Sequence, residues 1–87
     1  MKSEIHEKVY GQIEWKHPRL EYRAADKNGY IWYYESLPVR DFDKCEWKSY
    51  GTSDFQIHTG ETANSQDLWK DSLQTFQQYQ ESKKTIS

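Results

Sequence analysis

A chain of 87 residues with a formal charge of −2 amounts to one small domain, and a domain this short buries a smaller share of its surface than a large one. Lys and Arg are interleaved with Asp and Glu, which leaves neither the basic stripe of a duplex-DNA binder nor the acidic face of a DNA mimic. One cysteine, Cys45, excludes an internal disulfide and a cysteine-rich metal site, and no apolar run approaches the ~20 residues that span a bilayer. Because hydrophobic residues make up only 34% of the chain while aromatics make up 16%, rings must build most of the core.

In chain order, the N-terminal stretch MKSEIHEKVYGQ lacks the apolar segment of a secretory signal, so the expected location is the cytoplasm in which the chain is made. Ile5, Val9, Gly11, Ile13 and Trp15 are spaced in period two, which favours a strand over about 9–15; a short helix over 3–10 is the rival reading. His17-Pro18 then breaks the chain from a hairpin. Leu20 to Ala24 alternates in period two, Asp26-Lys27-Asn28-Gly29 suits a type I turn closed by a glycine bulge, and Tyr30 to Glu35 is rich in strand formers. That turn pairs Ala24 with Trp32 and Tyr22 with Tyr34, whereas a tight two-residue Asn28-Gly29 turn would give a different register. Leu20, Tyr22, Ala24, Trp32 and Tyr34 then share an inward face. Glu21, Arg23, Ala25, Ile31, Tyr33 and Glu35 form an outer one, with Tyr33 half-exposed and Tyr30 open to solvent.

Pro38 ends the second strand, and residues 40–43 read as a connection. Alternation of Cys45, Trp47 and Ser49 predicts a third strand, and Phe55 to His58 a short fourth. Leu68, Trp69 and Leu73 stand at helical spacing, so one or two helical turns should dock Trp69 and Leu73 on the sheet. The Gln-rich end is expected to be a frayed helix or a mobile tail. The fold class expected is therefore α+β, a small antiparallel β-meander of three to five strands with one short C-terminal helix. One domain spans residues 1–76, and a polar tail spans 77–87.

Catalytic chemistry finds little support in the residues. His6, His17 and His58 lie far apart in sequence and form no close pair of the kind a helical zinc site uses. Adjacent strands would let Cys45 meet His58, yet no glycine-rich turn follows Cys45 to supply an oxyanion hole. Asp41, Asp43 and Glu46 lack the ligand series and central glycine of an EF-hand loop, and the four glycines are isolated rather than grouped around a phosphate. No catalytic, cofactor-binding or metal-binding residue is assigned, and the chain is not expected to be an enzyme. Rings on an antiparallel sheet stack single-stranded nucleic acid in other folds, but Arg19, Arg23, Arg40 and Lys48 are interspersed here with Glu21, Glu35 and Glu46.

The run Ile13-Glu14-Trp15-Lys16-His17-Pro18, the stretch Tyr22 to Glu35 with its Asp26, Gly29 and Trp32, Pro38, the further Trp47, and the late Trp69-Lys70-Asp71-Ser72-Leu73 come in a distinctive order. Over about residues 13–73 this set resembles a family of short bacteriophage and prophage proteins. Two departures stand out: a longer lead-in before residue 13, and no Pro soon after Leu73. The resemblance implies a phage origin and carries over no catalytic residue and no ligand. With the surplus of rings, it leads to the expectation of an accessory protein that binds a host protein through Arg23, Tyr30, Tyr33 and Tyr50, since aromatic and Arg side chains dominate binding hot spots. Single-stranded nucleic acid is the alternative partner, and self-association into a structural component through an exposed strand edge is the third reading. No membrane partner is expected.

Overall fold

A computed structural model describes residues 4–49 and 56–84. A helix, α1 (Glu4–Tyr10), comes first, as in the rival reading of a short helix over 3–10, and residues 9–15 form no strand. Its acidic residues Glu4 and Glu7 lie in the first turn and Lys8 in the last, the arrangement the helix dipole favours. Gly11, at φ +54, ends it by donating its N–H to Glu7 O at 2.8 Å. The period-two spacing of Val9, Gly11 and Ile13 is thus split between the last helical turn, the cap and the chain beyond it. Val9 and Tyr10 are buried, and the helix lies on a sheet instead of joining one.

That sheet is antiparallel, with strand order β5-β2-β1-β6: β1 is Tyr22–Ala25, β2 Tyr30–Tyr34, β5 Gln56–Thr62 and β6 Gln74–Thr75. The β1–β2 register pairs Tyr22 with Tyr34 and Ala24 with Trp32, as the sequence predicts. Asp26 N donates to Tyr30 O, Gly29 N donates to Asp26 O, and Gly29 takes φ +96 where a side chain would be strained. Among the described residues, strands β3 (Val39–Asp41) and β4 (Glu46–Lys48) pair only with each other. The fold class is α+β with antiparallel strands and a short C-terminal helix, but the strand path is no simple meander. The β3–β4 hairpin leaves the main sheet, and β5 returns to pair with β2. The 40–43 connection is part of this hairpin, and Phe55 of the expected fourth strand lies outside the described residues.

Trp69–Asp71 makes a single 3-10 turn that buries Trp69. The C-terminal helix falls later, at α2 (Phe76–Lys84), on the stretch expected as a frayed helix or a mobile tail. Its start is a capping box: Thr75 Oγ1 accepts Gln78 N at 3.0 Å, and Gln78 Oε1 accepts Thr75 N at 2.9 Å. Phe76 and Tyr79 then pack on the core, so residues 77–84 are helical rather than loose.

Both faces of the sheet are covered. On one, Val9, Tyr10, Trp15, Leu20, Ala25, Ile31 and Tyr33 form a buried cluster beneath α1, the 13–20 segment and α2. On the other, Ala24, Tyr34, Trp47 and Trp69 pack beneath the hairpin and the 3-10 turn. A face expected to meet solvent is therefore a second core. Leu20, expected on the Trp32 face, belongs to the first cluster, because β1 starts only at Tyr22.

Candidate functional site

Arg23 and Tyr33, expected at a surface, are 1% and 0% exposed and offer a partner nothing in this fold. The Arg23 guanidinium lies 3.9 Å from the Tyr10 ring centroid, 5.0 Å from Trp15 and 5.2 Å from Tyr79. Its Nε donates to Gln74 Oε1 at 2.8 Å, and Nη1 makes longer contacts to Ile13 O, Glu14 O and Tyr33 Oη. Among the described residues no carboxylate forms an ion pair with it. Three aromatic faces and the acceptors around them stabilise the buried cation instead, a desolvated cation–π arrangement of about 2 kcal/mol or more. Burial drives the Tyr10 hydroxyl far above its ordinary pKa, and Arg23 only partly offsets that. His6, which bonds Leu73 O at 2.7 Å, is pushed below its usual value, mainly by burial, with Arg23 adding to the shift.

Tyr33 is pinned the same way: its hydroxyl accepts Lys16 N at 3.1 Å and lies 3.3 Å from Glu14 O, to which it donates. Tyr50 lies outside the described residues. Tyr30 is the expected residue that reaches solvent, at 43% exposure.

Around Tyr30 the structure assembles a group the sequence did not announce. Strand β5 places His58 opposite Trp32, so the imidazole stacks on the indole at 5.0 Å and 25°, and the Tyr30 ring meets its edge at 4.6 Å. The register slips between Tyr30 and Trp32, a bulge that lets Tyr30 swing over His58 from two positions along. Trp32 and His58 are half-buried. Cys45 and His58 are engaged elsewhere rather than with each other: Cys45 Sγ donates to Phe42 O at 3.7 Å, inside the hairpin turn, and His58 stacks on Trp32.

A second feature is a cleft of about 310 Å³ lined by Asp26, Lys27, Asn28, Lys44, Cys45 and Glu46, where the β1–β2 turn meets the hairpin. Asp26 is 5% exposed and its Oδ1 accepts Trp47 N at 2.7 Å. Burial raises its pKa to about 6; the Trp47 amide opposes that shift and Glu46 adds to it. Asp41 and Asp43 lie beyond the cleft, in the turn that Asp41 Oδ1 closes by accepting Asp43 N and Lys44 N. Among the described residues, no group of three or more His, Cys, Asp or Glu side chains is arranged to hold a metal ion. The chain matches no family model, no curated protein and no solved structure.

Proposed function

We propose that the chain is a non-enzymatic accessory protein of a bacteriophage that binds a host protein in the bacterial cytoplasm and alters its activity, inhibition of a defence or takeover target being the concrete form. The observation that carries this reading is the Tyr30–His58–Trp32 stack. Rings already packed against one another lose little freedom on binding, and Tyr and Trp are the residues enriched at hot spots. Phage provenance rests on the resemblance over residues 13–73.

A second reading is favoured by the same rings: stacked faces on adjacent antiparallel strands also suit bases of a single-stranded nucleic acid. Two measurements separate them. A tagged chain recovered from infected cells should carry one stoichiometric host protein, which a folded Tyr30→Ala variant binds at least ~30-fold more weakly, the loss of a hot spot worth about 2 kcal/mol. Fluorescence quenching by short oligonucleotides at low salt, fading steeply as salt rises, would move the assignment to nucleic acid.

A further inference from the structure

We infer that the cleft between the β1–β2 turn and the β3–β4 turn binds a small zwitterion, such as a free amino acid, whose ammonium seats on Asp26 and whose carboxylate seats on Lys27 and Lys44. The two walls are built alike. Asp26 and Lys27 on one side, and Lys44 and Glu46 on the other, give each wall one carboxyl and one amine, with Asn28 and Cys45 completing the lining. Two hydrogen bonds tie the walls together, from Trp47 N to Asp26 Oδ1 at 2.7 Å and from Lys27 N to Cys45 O at 3.1 Å, so the cleft is formed before anything enters it. Its volume of about 310 Å³ is at the small end of the range for ligand pockets.

Asp26 distinguishes this cleft from a chance meeting of surface charges. The residue is 5% exposed and only its Oδ1 is engaged; among the described residues nothing donates to Oδ2. A carboxylate withdrawn that far from water is ordinarily paired with a cation or held by several donors. Among the described residues, however, neither carboxyl of the cleft forms an ion pair with either of its lysines; Lys48 pairs with Asp41 and Lys16 with Glu61 instead. A ligand bearing only an ammonium would be repelled by the exposed Lys27 and Lys44, and one bearing only a carboxylate by Asp26 and Glu46. A molecule that carries both charges satisfies both signs. The cleft adjoins the Tyr30 stack, since Tyr30 N donates to Asn28 Oδ1 at 3.0 Å, but nothing in it depends on the partner of that stack.

Nuclear magnetic resonance titration of the full chain near neutral pH tests this, with L-alanine and γ-aminobutyrate as zwitterions of short and long span and butylamine and butyrate as the separate charges. At least one zwitterion should shift the amides of Lys27, Asn28, Cys45 and Trp47 saturably below ~10 mM, and each single charge should bind at least ~10-fold more weakly. Asp26→Asn, which keeps an oxygen for Trp47 N, should weaken the zwitterion about 10-fold, as should the double substitution of the exposed Lys27→Gln and Lys44→Gln. In the wild-type chain the same zwitterion should slow alkylation of Cys45 by iodoacetamide, and the single charges should not. No saturable shift from either zwitterion, equal binding of a single charge, unchanged affinity in either variant, or an unprotected Cys45 would each overturn the site. Should Asp26→Asn not fold, the lysine variant and the protection of Cys45 decide.

Discussion

The two faces of the central sheet bury similar rings, yet they are closed by different means. One is sealed by α1, the 13–20 segment and α2, which converge on the Arg23 guanidinium from widely separated parts of the chain. The other is sealed by a hairpin and a 3-10 turn that meet through Trp47 and Trp69. Removing the keystone of the first face should unseat three elements at once, whereas weakening the second should free one hairpin. Aromatic burial alone does not set the stability of a face; the number of elements tied to one group does.

The largest expected effect follows from Arg23→Ala. It empties the space among Tyr10, Trp15 and Tyr79 and leaves Gln74 Oε1 without its donor, a loss of about 3–5 kcal/mol. A small domain holds little more than that in total, so denaturant titration should find the variant largely unfolded. Were Arg23→Ala to fold as stably as the wild type, the contrast between the faces would be void.

Ser72→Ala comes next and probes the seam between them. Ser72 is fully buried; its Oγ accepts Ala25 N at 2.8 Å and donates to Trp69 O at 2.8 Å, extending the β1–β6 ladder past Gln74 with a side chain. Its loss strands the Ala25 N–H inside the protein, for about 1–3 kcal/mol. Both indole environments and the sheet should respond together.

Acid should separate the faces by sign. His6 has a depressed pKa in the fold, so the unfolded chain takes up its proton first, and the stability His6 contributes is lost as pH falls through its ordinary 6.5. Asp26 has a raised one, so its share grows as pH falls from about 6 toward 3.8. Thermal melts across that range should therefore show His6→Gln gaining stability on acidification relative to wild type and Asp26→Asn losing it. Parallel pH profiles for the two variants would mean that neither group reports on its own face.

How far these arrangements could be read from residues alone varies along the chain. The hairpin register was legible because Asp26-Lys27-Asn28-Gly29 suits a type I turn closed by a glycine bulge, and that turn, unlike a two-residue Asn-Gly turn, sets the observed pairs above it. The Arg23 core was not, because a strand face bearing Arg23 between glutamates reads as solvent-facing. Only the convergence of Tyr10, Trp15 and Tyr79, residues remote in sequence, makes that face an interior. The residues of α1 satisfy period two and helical spacing alike, so strand and helix stay open there until Val9 and Tyr10 are seen to pack on the sheet. Helix α2 had a local signal, Thr75 with Gln78 three residues on, that the polar composition masked. In the candidate site, the exposure of Tyr30 was readable from its place at the strand start. The stacking of His58 depends on a β5 pairing that no short-range pattern encodes.

The smallest stability effect belongs to Tyr30→Ala, and it sharpens the comparison of interior with surface. Tyr30 and Tyr33 stand three residues apart on one strand, yet Tyr33 is wholly buried and Tyr30 is 43% exposed. Truncating Tyr30 removes one edge-to-face contact with His58, worth about 0.5–1.5 kcal/mol, and opens no cavity in either core. Truncating Tyr33 should cost about 3–5 kcal/mol, because its ring lies T-shaped to Trp15 at 5.3 Å and its hydroxyl ties down the 14–16 backbone. A melting temperature within a few degrees of wild type for Tyr30→Ala, beside collapse for Tyr33→Ala, would mark Tyr30 as a ring retained for something other than folding. Comparable losses at the two positions would make Tyr30 a structural residue and remove the surface on which the proposed partner binding rests.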